Sequence, residues 1–265
     1  MKSVENILLQ RFDKLSPSSS IAVRVLEVIT DDEVSAADIA LLVSADPVLA
    51  AKIMRMANSS LYSMSGKVSQ LNVAIALLGL TTVQSLALTS VLQAVSPIDE
   101  NDWKHSLITA MAAALVASKF GTDTGEAFSV GMLHDLGTSL IKEYDKDGYQ
   151  KIRCSFNLPL TPENEDLLLS LEFERYGVTH PALGAAIMRS WSLPPEMQDA
   201  VRSHHSHEST SILSRTLQVA DHLAYLVQYG QDLTEPIFPE IDLDESISLL
   251  GRLKEQSDQS IGMII

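Results

Sequence analysis

Apolar residues recur at intervals of three and four along almost the whole of this chain, and runs that alternate apolar with polar between turn pairs are nearly absent. A period near 3.6 gathers such residues on one helical face, so the pattern predicts an all-α protein. Local punctuation agrees. Ser35-Ala36-Ala37-Asp38 has the form of a capping box ahead of Ile39–Val43, and Asp46-Pro47 sets a capping carboxylate before a proline at the first helical position. A helix is expected from Pro47 to Asn58, then a loop from Ser59 to Val68. Leu71–Leu78 reads as a short helix stopped by Gly79. Thr82–Val95 is the next, until Pro97 and Asp99-Glu100 break the period.

That break divides the chain into an N-terminal helical lobe (1–98), a second helical lobe (99–229) and an acidic tail or helix (230–265). In the second lobe, Trp103–Phe120 forms an alanine-rich helix ended by Gly121, and Glu126–Tyr144 a single helix. Residues 145–166 read as a connection with one short helix. Thr179 caps a helix through Trp191, Pro194-Pro195 opens another reaching His204 or His205, and Ser211–Tyr229 is the last strong one.

Composition narrows the function classes. The longest apolar stretches, around Val73–Leu80 and Ala110–Ala117, fall short of the ~20 residues a bilayer span needs, and the N-terminus lacks a signal-peptide core. A cytoplasmic protein without membrane insertion is expected. The single cysteine, Cys154, allows neither an internal disulfide nor a thiolate zinc site. A net charge of −15 repels a phosphate backbone, so direct binding to nucleic acid is not expected.

The candidate chemistry is concentrated in the second lobe. All seven histidines lie at or beyond His105, and His134-Asp135 sets imidazole beside carboxylate within the apolar segment Phe128–Gly137. Such a pair either coordinates a metal or satisfies itself by hydrogen bonds within packed helices.

Two signatures, in order, resemble the HDOD family, the output-domain relatives of the HD metal-dependent phosphohydrolases. The first runs from Asp46-Pro47 through Asn58-Ser59 to Tyr62, with Ala74–Gly79 after it. The second comprises Trp103-Lys104-His105-Ser106, Ala127–Gly137, His180–Gly184 and Trp191–Pro194. The resemblance covers about residues 12–225 and implies a two-lobed all-helical module of bacterial signalling, usually non-catalytic. It also implies a metal set of His105, His134, Asp135 and Asp221, with His180 and one of His204 or His205 standing where HD-GYP phosphodiesterases hold a second metal. Of His204, His205 and His207, at most one is expected to point inward, and His204 is the choice. His222, one residue past Asp221, should face elsewhere.

Imidazole and carboxylate donors suit one or two ions of iron, manganese, nickel or zinc. Two departures oppose HD-GYP chemistry: Thr138 stands where that group has a lysine, and its Gly-Tyr-Pro segment is missing. The sequence shows no basic cluster near the histidines, Arg189 and Arg202 being the nearest cations and reading as solvated charges. In the first lobe, Asn58, Tyr62 and Met64 are the candidate partner contacts. The leading expectation is a regulatory module acting on signalling proteins through protein contacts. The alternative is a metal-dependent phosphohydrolase for a nucleotide or another small phosphoester.

Overall fold

The capping chemistry closes as the sequence dictates. In a computed structural model describing residues 4, 6–8, 21–29, 33–59, 62, 67–95, 99–156, 162–206, 211–236 and 241–264, the Ser35 hydroxyl accepts from the Asp38 amide, and the Asp38 carboxylate accepts from the Ser35 amide. Asp46 accepts from the amides of Val48 and Leu49. These caps start helices α2 (Ala36–Val43) and α3 (Pro47–Ala57), which follow α1 (Ile21–Val28). Gly79, with φ of 79°, ends α4 (Leu71–Leu78), and α5 (Leu80–Val95) turns off at once. Among the described residues the fold is helical and contains no β-strand, and no single helix there is long and apolar enough to cross a membrane.

α6 (Glu100–Phe120), ended by Gly121 in the left-handed region, is the central strut. Its face of Ala110, Ala113, Ala114 and Ala117 is buried, and these small side chains let α7 (Thr124–Leu133) lie close along it. The approach is so tight that a methyl group on Gly131 would stand 2.6 Å from the Ala110 Cα, which excludes alanine there. α13 (Ile212–Gln228) packs on another side of α6, and α5 also packs on α7. Among the described residues one apolar cluster extends from Leu8 to Leu253. Each fully buried leucine in it, such as Leu107, contributes about 1.5–3 kcal/mol.

The structure corrects the helix expected over Glu126–Tyr144. It breaks at the doublet: α7 ends at Leu133, and α8 (Leu136–Tyr144) begins after Asp135, whose φ of −100° and ψ of 19° are not helical. A close approach accompanies the break. Gly137, in the first turn of α8, sits against the backbone of His180, where an added methyl group would come within 2.0 Å of the His180 carbonyl oxygen. The region read as a connection also differs. α9 (Lys146–Arg153) is the short helix, but α10 (Pro162–Tyr176) is a long one that apolar periodicity does not mark. α11 (His180–Ser190), α12 (Pro195–Arg202) and the C-terminal α14 (Leu243–Ile264) complete the described elements, with α11 packed on both α8 and α12.

Candidate metal centre

These packing contacts bring side chains to one place. α6 supplies His105, the α7–α8 break supplies His134 and Asp135, and α13 supplies Asp221. α11 supplies His180, and the turn after α12 supplies His204 and His205. The ligand atoms of His105, His134 and Asp135 lie within 4.8 Å of one another, as do those of His180, His204 and His205. All face a cavity of about 370 Å³.

The ring tautomers follow from hydrogen bonding. A carbonyl oxygen can only accept, so His134 Nδ1 donates to the Gly131 carbonyl at 2.8 Å and His204 Nδ1 to that of Val201 at 2.6 Å. His105 Nδ1 faces the Gln228 amide oxygen at 3.1 Å, His180 Nδ1 faces Glu172 at 2.9 Å, and His205 Nδ1 faces Glu165 at 3.1 Å. Every ring thus spends Nδ1 on an outer acceptor and turns Nε2 inward, the orientation of an imidazole prepared to bind a metal.

The carboxylates sit between the rings. Asp221 Oδ1 lies 2.9 Å from His105 Nε2 and 3.6 Å from His134 Nε2. Asp135 spans the two groups: Oδ2 is 3.6 Å from His134 Nε2, and Oδ1 is 3.5 Å from His180 Nε2. Thr138, at the position of the missing lysine, donates its hydroxyl to Asp135 Oδ1 at 3.1 Å. Behind His180, the wholly buried Glu172 accepts from the His180 amide at 2.8 Å and from the Tyr149 hydroxyl at 3.2 Å.

Two nitrogens test whether this set fits a metal. His204 Nε2 is buried with no hydrogen-bond partner, a loss that costs about 1–3 kcal/mol for an isolated polar group. His180 Nε2 and His205 Nε2 stand 3.2 Å apart. With both Nδ1 protons committed to glutamates, two lone pairs meet there unless a cation or a shared proton separates them. The residues therefore fit a divalent ion.

Electrostatics point the same way. Burial, reinforced by His205, holds His204 well below the usual imidazole range, and burial also lowers His134 despite Asp135. Burial would keep His105 and His180 neutral too, but Asp221 and Glu172 outweigh it and raise them. Burial would lift Asp135 and Asp221, yet the surrounding imidazoles hold both well below the ordinary carboxylate range.

Every proposed ligand thus lies in the cluster, and His205 joins it, correcting the expectation that only one of the adjacent histidines points inward. His222 is exposed at the cavity rim. Arg189 and Arg202 are exposed, whereas Lys142 and Arg153, which the sequence reading passed over, line the cavity. Asn58 spends its amide on the Met54 carbonyl and on both backbone groups of Val68, so it clasps the loop between them. Tyr62 is half-buried against the core rather than exposed, and burial pushes its phenol up to about 12. Met64 and His207 lie outside the described residues.

Residues 15–207 match the HDOD domain; Asp221 lies beyond that span. A candidate phosphohydrolase from Shewanella amazonensis superposes with a TM-score of 0.71 at 22% identity, covering 97% of this chain and 98% of its own. A candidate signal-transduction protein from Marinobacter aquaeolei gives 0.69 at 21% identity, over all of this chain and 61% of the other. These likenesses show a shared fold. In sequence, an uncharacterized protein of Treponema pallidum is 24% identical over 208 residues, 75% of this chain and 39% of that protein. A ribonuclease Y from Campylobacter concisus is 29% identical over 126 residues, 47% of this chain and 18% of that protein. The chain thus spans well under half the length of either relative.

Proposed function

Since this chain belongs to the HDOD domain family and shares its fold with a candidate metal-dependent phosphohydrolase from Shewanella amazonensis, we propose that it is itself a divalent-metal-dependent phosphohydrolase acting on a small phosphoester. The observation that carries this is the convergence of five imidazole Nε2 atoms on one cavity, each ring fixed from behind through Nδ1. Such outer hydrogen bonds orient ligands and raise their basicity, and a module acting by surface contact alone has no need of them.

His105, His134, Asp135 and Asp221 would hold one ion, and His180, His204 and His205 a second, with Asp135 facing both. Iron, manganese, nickel or zinc suit these donors. Bound there, the ions would supply Lewis-acid polarisation of a phosphoryl group and a water acidified toward hydroxide. The chain's own part is positional. Thr138 holds one oxygen of Asp135 by its hydroxyl, Glu172 and Glu165 keep the Nδ1 protons of His180 and His205, and Gln228 does the same for His105.

The test is metal analysis of the purified and reconstituted protein beside a His134→Ala, Asp135→Ala double variant, with hydrolysis of 4-nitrophenyl phosphate esters as the activity. One or two ions per chain and metal-dependent turnover, both lost in the variant, are expected. A protein that stays empty on reconstitution, or that loads but hydrolyses no ester, overturns the proposal.

A regulatory role through contact with signalling proteins is the second reading. It is favoured by α10, which leaves Leu167 49% and Phe173 64% exposed on the helix that carries Glu165 and Glu172.

A further inference from the structure

The cavity's charged lining beyond the histidines is mostly acidic, with Asp102, Asp135, Glu165 and Asp221 against two cations, Lys142 and Arg153. An anionic ligand enters such a space only if the cations stand where its oxygens come to rest. The fold brings both to the cavity. Lys142 lies one helical turn beyond Thr138 on α8, so the two side chains share a face, and Thr138 already touches Asp135. The Lys142 ammonium is held by both oxygens of Asp102, at 2.7 and 2.5 Å, and lies over the Tyr149 ring at 5.7 Å. Arg153 enters from the last turn of α9, and among the described residues no carboxylate lies within ion-pair distance of it.

We propose that Lys142 and Arg153 form the phosphoryl-gripping wall of this cavity and make it select phosphate monoesters over diesters. The inference rests on the phosphohydrolase reading of the same site. A monoester dianion has three non-bridging oxygens, so one is left for the cationic wall after two face the imidazole cluster. A diester has only two and carries half the charge. Arg153 offers a planar fork and Lys142 a point charge, the complementary ways a side chain grips phosphate. Asp102 neither touches the histidine cluster nor faces it within ion-pair distance among the described residues; it positions the lysine.

The experiment uses the metal-loaded full chain. Hydrolysis of 4-nitrophenyl phosphate and bis(4-nitrophenyl) phosphate is compared in the wild type, Lys142→Met, Lys142→Arg and Arg153→Met, and binding of inorganic phosphate is measured by calorimetry. The wild type should prefer the monoester. Each methionine variant should raise its KM roughly tenfold or more, as loss of a charge-assisted hydrogen bond does, and weaken phosphate binding alike. The diester KM should move less, metal content should stay unchanged, and Lys142→Arg should retain most of the monoester preference. A wild type that favours the diester, or methionine variants with unchanged KM and phosphate affinity, overturns the inference while leaving the hydrolase reading intact. A loaded wild type that binds phosphate through Lys142 and Arg153 yet turns over neither ester fails the hydrolase reading instead and keeps the wall.

Discussion

The two halves of the histidine cluster solve the same problem differently. Around His105, a carboxylate stands against imidazole: Asp221 Oδ1 lies 2.9 Å from His105 Nε2 and beside His134, so a single added proton on His105 pairs the two. Around His180, His204 and His205, among the described residues, the one inner carboxylate within ion-pair distance is the shared Asp135, one nitrogen has no partner, and two face each other at 3.2 Å. The first half could exist as a hydrogen-bonded cluster. The second is stable as drawn only with positive charge among its nitrogens, and its acids, Glu172 and Glu165, stand behind the rings instead of between them.

Breaking the residue common to both halves should have the largest effect. Asp135→Asn keeps the shape but removes the charge that faces His134 and His180, so metal occupancy of both halves and phosphoester turnover should fall by more than about a hundredfold. Metal analysis with steady-state rates checks this, and a variant that loses one ion but keeps the other would show that the halves are independent.

Glu172→Gln sharpens the comparison, since it touches the second half alone. Metal affinity there should drop about 10–100-fold, read by competition with a chelating dye, while the first half keeps its ion. The same variant has a pH signature without metal. Burial opposes a charged His180, but Glu172 outweighs it and raises its pKa. The stability this pair contributes is fully present below the unfolded imidazole value near 6.5 and is lost as pH rises through the higher folded value. Metal-free Glu172→Gln should therefore lose more melting temperature, relative to wild type, at about pH 6 than at about pH 8; equal losses would remove Glu172 as the cause.

Tyr149→Phe should have the smallest effect. It deletes the hydroxyl that donates to Glu172 and leaves the ring packed, costing about 1 kcal/mol of stability with turnover changed only a few-fold. A larger change in rate than in melting temperature would place Tyr149 closer to the chemistry.

The comparison also explains what the sequence could tell. Caps at Ser35 and Asp46 and stops at Gly79 and Gly121 were legible because each acts over three or four residues. The ligands of the first half stood out as a His-Asp doublet with partners at family spacing. Glu172 gave no signal, because a buried glutamate and a solvated one look alike until their neighbours are known. Its helix α10 was hidden for the same reason: it buries Glu172 and exposes Leu167 and Phe173, the reverse of an amphipathic pattern. His205 stood only as an alternative to His204 because both lie in the turn after a helix end, where periodicity does not decide which way a ring points.

The width of the cluster is gauged by an atom that is missing. Asp135 reaches His180 only because α8 rests on α11 through Gly137, with no room for a methyl group against the His180 carbonyl. The spacing between the two sets of donors is therefore written into two main chains rather than into rotamers. Alanine is excluded at that point as it is at Gly131, so backbone contact between two helices holds the spacing that decides which radius of ion the cluster accepts.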